Sequence, residues 1–179
     1  MGSLRALTAC GNVTNVSRAT VPQEEFPMRK PDLDTPKAVS VLNRILEAEL
    51  AGVVRYTHWS LMVFGTTRIP VVSWLREQAD ESLGHAQRAG ELITHLGAHP
   101  SLAIGALLET QKHSVQEILQ ESRETERAAL ALYQELFDVA RDRSILVEEY
   151  ARELIAQEEL HLGEVDKMLR KPGELGAAG

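Results

Sequence analysis

Residues 144–170 carry apolar side chains at helical spacing, and two polar residues interrupt the apolar face. A stripe of side chains about 100° wide is the face that such a helix buries. Its apolar members are Val147, Tyr150, Ala151, Leu154, Ile155, Leu162, Val165 and Leu169. Glu158 and His161 fall in the middle of this stripe, whereas Glu159 and Glu164 point outward. Because burial of an unpaired carboxylate is costly, Glu158 needs a proton, a cationic partner or a metal.

Three further stretches show the same periodicity, so the sequence predicts four long helices. They span about residues 35–65, 70–96, 113–140 and 144–170, with Thr35 as the N-cap of the first. The segment from Gly97 to about Lys112 is too long for a tight turn, and we expect it to cross the length of the bundle. The predicted fold is all-α: a four-helix bundle with one long crossover.

The pattern divides the chain into three parts. Residues 1–35 are polar and aperiodic, which predicts a flexible N-terminal extension. Residues 36–171 are predicted to form the bundle, and residues 172–179 a short tail. Alternatively, translation starts at Met28, which leads directly into the first helix.

Charge and composition argue against several classes of protein. A net charge of −7 disfavours binding to nucleic acid, which requires a basic surface. Cys10 is the single cysteine, so the sequence offers neither a disulfide framework nor a cysteine-based metal centre. No apolar run approaches about 18 residues, and the N-terminus lacks a hydrophobic signal core. We therefore expect a cytoplasmic protein without a membrane partner.

Inward-facing polar residues recur on the other helices. Glu49 and Glu126 lie at the centres of the inner faces of the first and third helices. Glu49 precedes His85 by 36 residues and Glu126 precedes His161 by 35, which places each glutamate level with the histidine of the next antiparallel helix. No inward-facing basic residue is predicted to neutralise the carboxylates. A pair of divalent metal ions supplies this charge, and glutamate and histidine are suitable ligands for iron, manganese or zinc.

Four stretches carry a specific resemblance: LNRILEAELAGVVRY, ESLGHAQRAGELITHLGAHP, ETERAALALYQEL and EEYARELIAQEELHLGEVDKML. Over about residues 36–171 the chain resembles the ferritin-like superfamily, and its bacterioferritin-like branch in particular. The resemblance implies a di-iron carboxylate centre, with manganese as an alternative metal. It assigns Glu49 and Glu126 as terminal carboxylates, His85 and His161 as nitrogen ligands, and Glu158 as a bridge between the metals.

One position departs from the family pattern. Three residues before His85, where a second bridging glutamate is expected, the sequence has Ser82, and Glu81 stands one residue earlier. A π-bulge near Leu83 and Gly84 would bring Glu81 into the phase that a bridge requires. The other interpretations are a lopsided site that holds one metal or a labile pair, and a Glu81 that is simply a solvated residue on the flank.

The resemblance has three further implications. Tyr56 would hydrogen-bond a ligand carboxylate, with ordinary core packing as the alternative. Leu83 replaces the methionine through which bacterioferritins bind haem, so we expect no haem. Few residues follow His161, so we do not expect the fifth helix that lines the axes of ferritin cages. Apolar residues on the outer faces, such as Trp59 and Leu61, favour contact with a second protein chain. We expect a homo-oligomer, a dimer at least, with a larger shell as an alternative.

The function that the resemblance implies is oxidation of ferrous iron by dioxygen or peroxide, for iron storage or detoxification. Carboxylates suit this reaction because they are hard, anionic ligands that favour the ferric state. One alternative is another di-metal redox enzyme on the same bundle, either an oxygenase or a manganese catalase-like protein. A metal-free bundle, including a DNA-protecting shell protein, is disfavoured by the acidic charge and the buried glutamates.

Overall fold

The computed structural model describes residues 32–107 and 109–175, and these residues form four long helices without a strand. The helices are α1 (Thr35–Met62), α2 (Arg68–His95), α3 (Val115–Ala140) and α4 (Ile145–Leu169). The predicted all-α four-helix bundle is confirmed. The predicted N-terminal extension lies almost entirely outside the described residues, as does the end of the tail. None of the helices in the described ranges is long and apolar enough to cross a membrane.

Side chains that accept hydrogen bonds from the first turn set where helices begin. Asp34, not Thr35 as predicted, caps α1, because its Oδ1 accepts a hydrogen bond from the Lys37 N–H at 3.1 Å. Ser114 caps α3 in a reciprocal pair with Glu117. The Ser114 N–H donates to Glu117 Oε2 at 3.1 Å, and the Glu117 N–H donates to Ser114 Oγ at 3.2 Å. Caps of this kind stabilise a helix by about 1 kcal/mol.

The crossover between α2 and α3 spans the bundle, as predicted, and it runs along α1. The Ser101 N–H donates to Asn43 Oδ1 at 2.7 Å, and the Gly105 N–H donates to the Glu47 carbonyl at 2.8 Å. A Cβ at Gly105 would lie 3.0 Å from that carbonyl oxygen, so glycine permits the close approach. Since the crossover spans the bundle, α3 starts at the end where α1 finishes, and the two helices run antiparallel.

Two apolar clusters fill the bundle interior, and a polar layer lies between them. On α1 the larger cluster ends at Leu46 and the smaller begins at Tyr56, with Glu49 between them. On α2 the smaller cluster ends at Ala79 and the larger begins at Ala86. The buried polar and charged residues include Glu49, Ser82, His85, Ser122, Glu126 and Glu158. The larger cluster joins all four helices and the smaller joins α1, α2 and α3, so apolar packing lies on both sides of the candidate site.

Trp59 lies in the core, so its predicted place on an outer face is wrong. The residue is 5% exposed, and its ring meets that of Tyr56 edge to face with centroids 5.2 Å apart. The side chain fills the space between helices at the end of α1, where the smaller cluster needs apolar volume. Leu61 is 57% exposed and does lie on an outer face.

Candidate metal centre

Three carboxylates from three helices converge between the two apolar clusters. Glu49 of α1 is 5% exposed, Glu126 of α3 is 7% exposed and Glu158 of α4 is 2% exposed. Within residues 32–107 and 109–175, no lysine or arginine nitrogen pairs with these carboxylates within 4.0 Å. Because buried carboxylates need compensation, protons or cations must supply it.

The histidines of α2 and α4 join the carboxylates in two groups that share Glu158. One group is Glu49, His85 and Glu158, and the other is Glu126, Glu158 and His161. His85 Nδ1 lies 3.4 Å from Glu158 Oε1, and His161 Nδ1 lies 3.8 Å from Glu158 Oε2. Within each group, one ligand atom per side chain lies within 4.8 Å of the others. The two oxygens of Glu158 thus face different groups, which is the arrangement a carboxylate needs to bridge two ions.

One oxygen of Glu158 lacks a partner. Glu158 Oε2 is inaccessible to solvent and accepts no hydrogen bond. A buried oxygen without a donor is rare in proteins, because it loses its hydration without replacement. A divalent cation between Glu158, Glu126 and His161 would satisfy this oxygen. The donor set therefore fits a metal ion better than it fits a metal-free core.

Two tyrosines support the outer carboxylates. The Tyr133 hydroxyl donates to Glu49 Oε1 at 2.7 Å. The Tyr56 hydroxyl donates to Glu126 Oε1 and lies 2.8 Å from Ser122 Oγ. Each tyrosine follows a glutamate of its own helix by seven residues and bonds the glutamate of the other helix. The apolar pattern alone places Tyr133 in the core. Its seven-residue spacing from Glu126, which repeats the spacing of Tyr56 from Glu49, is the sequence feature that identifies it as a partner of a carboxylate.

Glu81 reaches the centre from the flank of a regular helix. Helix α2, described at every residue, is α-helical from Arg68 to His95, so the predicted π-bulge is wrong. Glu81 Oε2 lies 3.2 Å from His161 Nε2, and Glu81 Oε1 lies 4.0 Å from His85 Nε2. The two methylene groups of the Glu81 side chain carry the carboxylate from the flank of α2 to the histidines. Helix α2 therefore needs no bulge and keeps its backbone hydrogen bonds. With 34% of its side chain exposed, Glu81 lies at the rim of the centre.

Close contact between helices explains why Ser82 stands at the expected glutamate position. A Cβ at Gly52 of α1 would lie 2.8 Å from Ser82 Oγ. The two helices therefore meet through their smallest side chains at this level, and a glutamate at position 82 would have to displace α1.

Protons balance part of the negative charge when no metal is bound. Burial raises the pKa of Glu126, and the adjacent Glu158 carboxylate raises it further. Burial opposes a charge on His85, but the adjacent carboxylates of Glu158 and Glu49 raise the pKa of the imidazole to about 10. The adjacent Glu158 carboxylate also raises the pKa of His161. At pH 7 the metal-free cluster therefore carries a proton on His85, and Glu126 binds a proton more tightly than an exposed glutamate does.

We expect metal loading at pH 7 to release at least about one proton per chain, from His85, since ligand atoms must lose their protons before they bind a cation. Calorimetric titration with Mn²⁺ in two buffers of different ionisation enthalpy measures this number. Affinity should rise with pH up to about 10, where His85 loses its proton in the absence of metal. The raised pKa of His85 also stabilises the metal-free fold below about pH 6.5, and this contribution is lost as the pH passes 10. Binding without proton release would contradict this charge assignment.

Comparison with known proteins places this bundle in a family. A family model described as the ferritin-like domain matches residues 39–173. The chain belongs to this family. The match extends over nearly all of the described ferritin-like bundle and includes Glu49, Glu81, Glu126 and Glu158 as well as both histidines of the centre. No curated protein sequence matches the chain.

Solved structures show the same ferritin-like fold. A ferritin-like diiron-carboxylate protein from Bacillus anthracis is 23% identical, with a TM-score of 0.72 over 76% of this chain and 98% of the other. The dodecameric thioferritin of Bacteroides fragilis, a bacterioferritin-related protein, is 25% identical, with a TM-score of 0.72 over 77% of this chain and 87% of the other. The bacterioferritin of Rhodobacter capsulatus is 24% identical, with a TM-score of 0.67 over 79% of this chain and 86% of the other.

Proposed function

We propose that this ferritin-like chain oxidises ferrous iron at a dinuclear site in the middle of its bundle. The observation that carries the proposal is the pair of ligand groups that share Glu158. Glu49 and His85 would hold one iron, Glu126 and His161 the other, and Glu158 would bridge the two. Glu81 would complete the site from the rim next to His161, because its carboxylate lies 3.2 Å from that imidazole.

Iron is the substrate of the proposed reaction. Two ferrous ions supply two electrons, which with two protons reduce one dioxygen to hydrogen peroxide or one peroxide to water. The buried carboxylates favour the ferric product, because anionic oxygen ligands stabilise the higher charge. The tyrosine hydroxyls of Tyr56 and Tyr133 hold Glu126 and Glu49 in place while the charge changes. The product would be stored or passed on.

The space beside the centre supports a small oxidant. A cavity of about 50 Å³ borders Glu49, Tyr56, Ser82 and Glu126. A water molecule occupies roughly 30 Å³ in the liquid, whereas pockets for organic ligands measure about 300–1,000 Å³. This volume suits dioxygen or peroxide and is too small for an organic substrate. It therefore favours iron oxidation over an oxygenase reaction on the same bundle.

We also propose that the chain acts as a homo-oligomer in the cytoplasm, with residues 36–171 as its single folded domain. The Bacteroides fragilis relative is dodecameric. Exposed Leu61 and Ile145 supply apolar surface for contact between copies. Size-exclusion chromatography with light scattering measures the number of chains directly.

Anaerobic titration with ferrous iron, followed by exposure to air, tests the proposed reaction. The absorbance of ferric iron counts the ions oxidised in the rapid phase. We expect two per chain. A chain that binds no ferrous iron, or that binds it without rapid oxidation, would refute the proposal.

Removal of Glu81 should halve the number of iron ions that each chain oxidises rapidly. In Glu81→Ala the His161 side of the centre loses its rim carboxylate, and we expect one iron oxidised rapidly per chain. Asp80→Ala, one residue away, is the matched control and should still oxidise two, because Asp80 is exposed on the outer side of α2. Two irons oxidised by Glu81→Ala would show that Glu81 is a solvated residue on the flank.

A further inference from the structure

A second cluster of ligand-type side chains lies outside the buried centre, where the crossover meets α1. His58 Nε2 lies 2.8 Å from Glu109 Oε2, and His113 Nε2 lies 3.5 Å from Glu109 Oε1. One ligand atom from each of the three side chains lies within 4.8 Å of the other two. His58 belongs to α1, whereas Glu109 and His113 precede α3. The fold, rather than a local motif, therefore brings the three side chains together.

The facing nitrogen atoms of both histidines lack hydrogen bonds. The Nε2 atoms of His58 and His113 are inaccessible to solvent and have no hydrogen-bond partner. Both lie near the Glu109 carboxylate, but without the alignment that a hydrogen bond requires. Polar atoms shielded from water are normally satisfied by protein, water or an ion. An ion among the three side chains would bind both nitrogen lone pairs.

Backbone geometry holds Glu109 toward the histidines. The Gln111 N–H donates to Glu109 Oε1 at 2.6 Å, and Gln111 has a φ of 58°. This left-handed residue turns the chain so that Glu109 and His113, four positions apart, come within 3.5 Å. Hydrogen bonds that orient a ligand raise metal affinity by about 10–100-fold.

A cavity of about 210 Å³ adjoins His58 and Glu109 and gives room for an ion with bound water. Glu121 and Arg55 also line it, so its lining includes two carboxylates and one guanidinium. Arg55 lines the smaller cavity beside Glu49 as well. Since a guanidinium between the two cavities opposes the passage of a cation, this cluster is separate from the buried centre.

We propose that His58, Glu109 and His113 bind one divalent first-row transition-metal ion. Two imidazoles and one carboxylate are the ligand set of open zinc and non-haem ferrous sites. Bonds of about 2.1 Å in a tetrahedral site place ligand atoms about 3.4 Å apart, close to the separations here. Water from the cavity fills the open position, and the bound ion ties α1 to the segment that leads into α3.

Zinc binding to the full chain tests this site independently of iron oxidation. Zinc content after equilibrium dialysis should be lower by one ion per chain in His58→Ala/His113→Ala. The matched control is His95→Ala/His99→Ala, which removes two exposed histidines near the end of α2 and should bind as much zinc as the wild type. Glu109→Gln should weaken binding by at least about tenfold, since it removes the anionic ligand and keeps the shape.

Variants of the buried centre separate the two proposals. Glu158→Ala should retain one zinc ion, and Glu158→Ala combined with His58→Ala/His113→Ala should lose it. Zinc that persists in the combined variant, or an equal loss in His95→Ala/His99→Ala, would overturn the assignment, whether or not the buried centre oxidises iron. Circular dichroism checks that each variant keeps its helices.

Discussion

Replacement of Glu158 by alanine is expected to abolish rapid oxidation of ferrous iron while the helices remain folded. Glu158 is the one side chain common to both ligand groups, so its loss disables both halves of the site. The initial rate should fall by about 100-fold or more, because the loss of mere supporting groups already costs about 10–100-fold. The metal-free variant should stay folded, since removal of a buried carboxylate also removes its desolvation cost. Stopped-flow absorbance after mixing with ferrous iron in air measures the rate.

Glu159→Ala is the matched control for this experiment. Glu159 is adjacent in sequence and exposed on the outer face of α4, so its replacement should leave the rate unchanged. Equal rates for Glu158→Ala and the wild type would exclude a shared bridging carboxylate.

Ferrous iron bound without oxygen should raise the unfolding temperature of the wild type by about 8–16 °C. A ligand at 1,000 times its dissociation constant stabilises the native state by about 4 kcal/mol, and each kcal/mol moves the midpoint of a protein of this size by about 2–4 °C. The physical reason is that cations compensate the buried carboxylates of Glu126 and Glu158, one oxygen of which has no hydrogen-bond partner in the metal-free protein. Anaerobic differential scanning calorimetry measures the shift.

The same scan of Glu158→Ala isolates the contribution of the centre. Iron should move its midpoint by only a few degrees, through the cluster at His58 alone. A wild-type midpoint that iron leaves unchanged would mean that the buried carboxylates are stabilised without metal.

The fold and much of the cluster could be predicted from the sequence because both depend on helical periodicity. Apolar spacing located all four helices to within a few residues, and the long segment after α2 fixed the crossover. Glu49, Glu126 and Glu158 interrupt the apolar faces at matching levels, and the structure brings them together between two apolar clusters. Their role as metal ligands remains a proposal.

The remaining features depend on side-chain reach and on packing between helices, which periodicity does not encode. Glu81 has the wrong phase on a regular helix, yet its flexible side chain reaches His161. Ser82 is explained by its contact with Gly52, which becomes visible only when α1 packs on α2. The cluster at His58 joins residues about 50 positions apart, through a crossover whose path along α1 is set by hydrogen bonds.

Anomalous diffraction at the iron edge, from crystals loaded with ferrous iron under anaerobic conditions, would locate the metal ions relative to Glu158. We expect two iron peaks in the interior of each chain, one bonded to each oxygen of Glu158 at about 2.0–2.2 Å. A single peak on one side of Glu158, or an interior without iron, would contradict a dinuclear site bridged by Glu158.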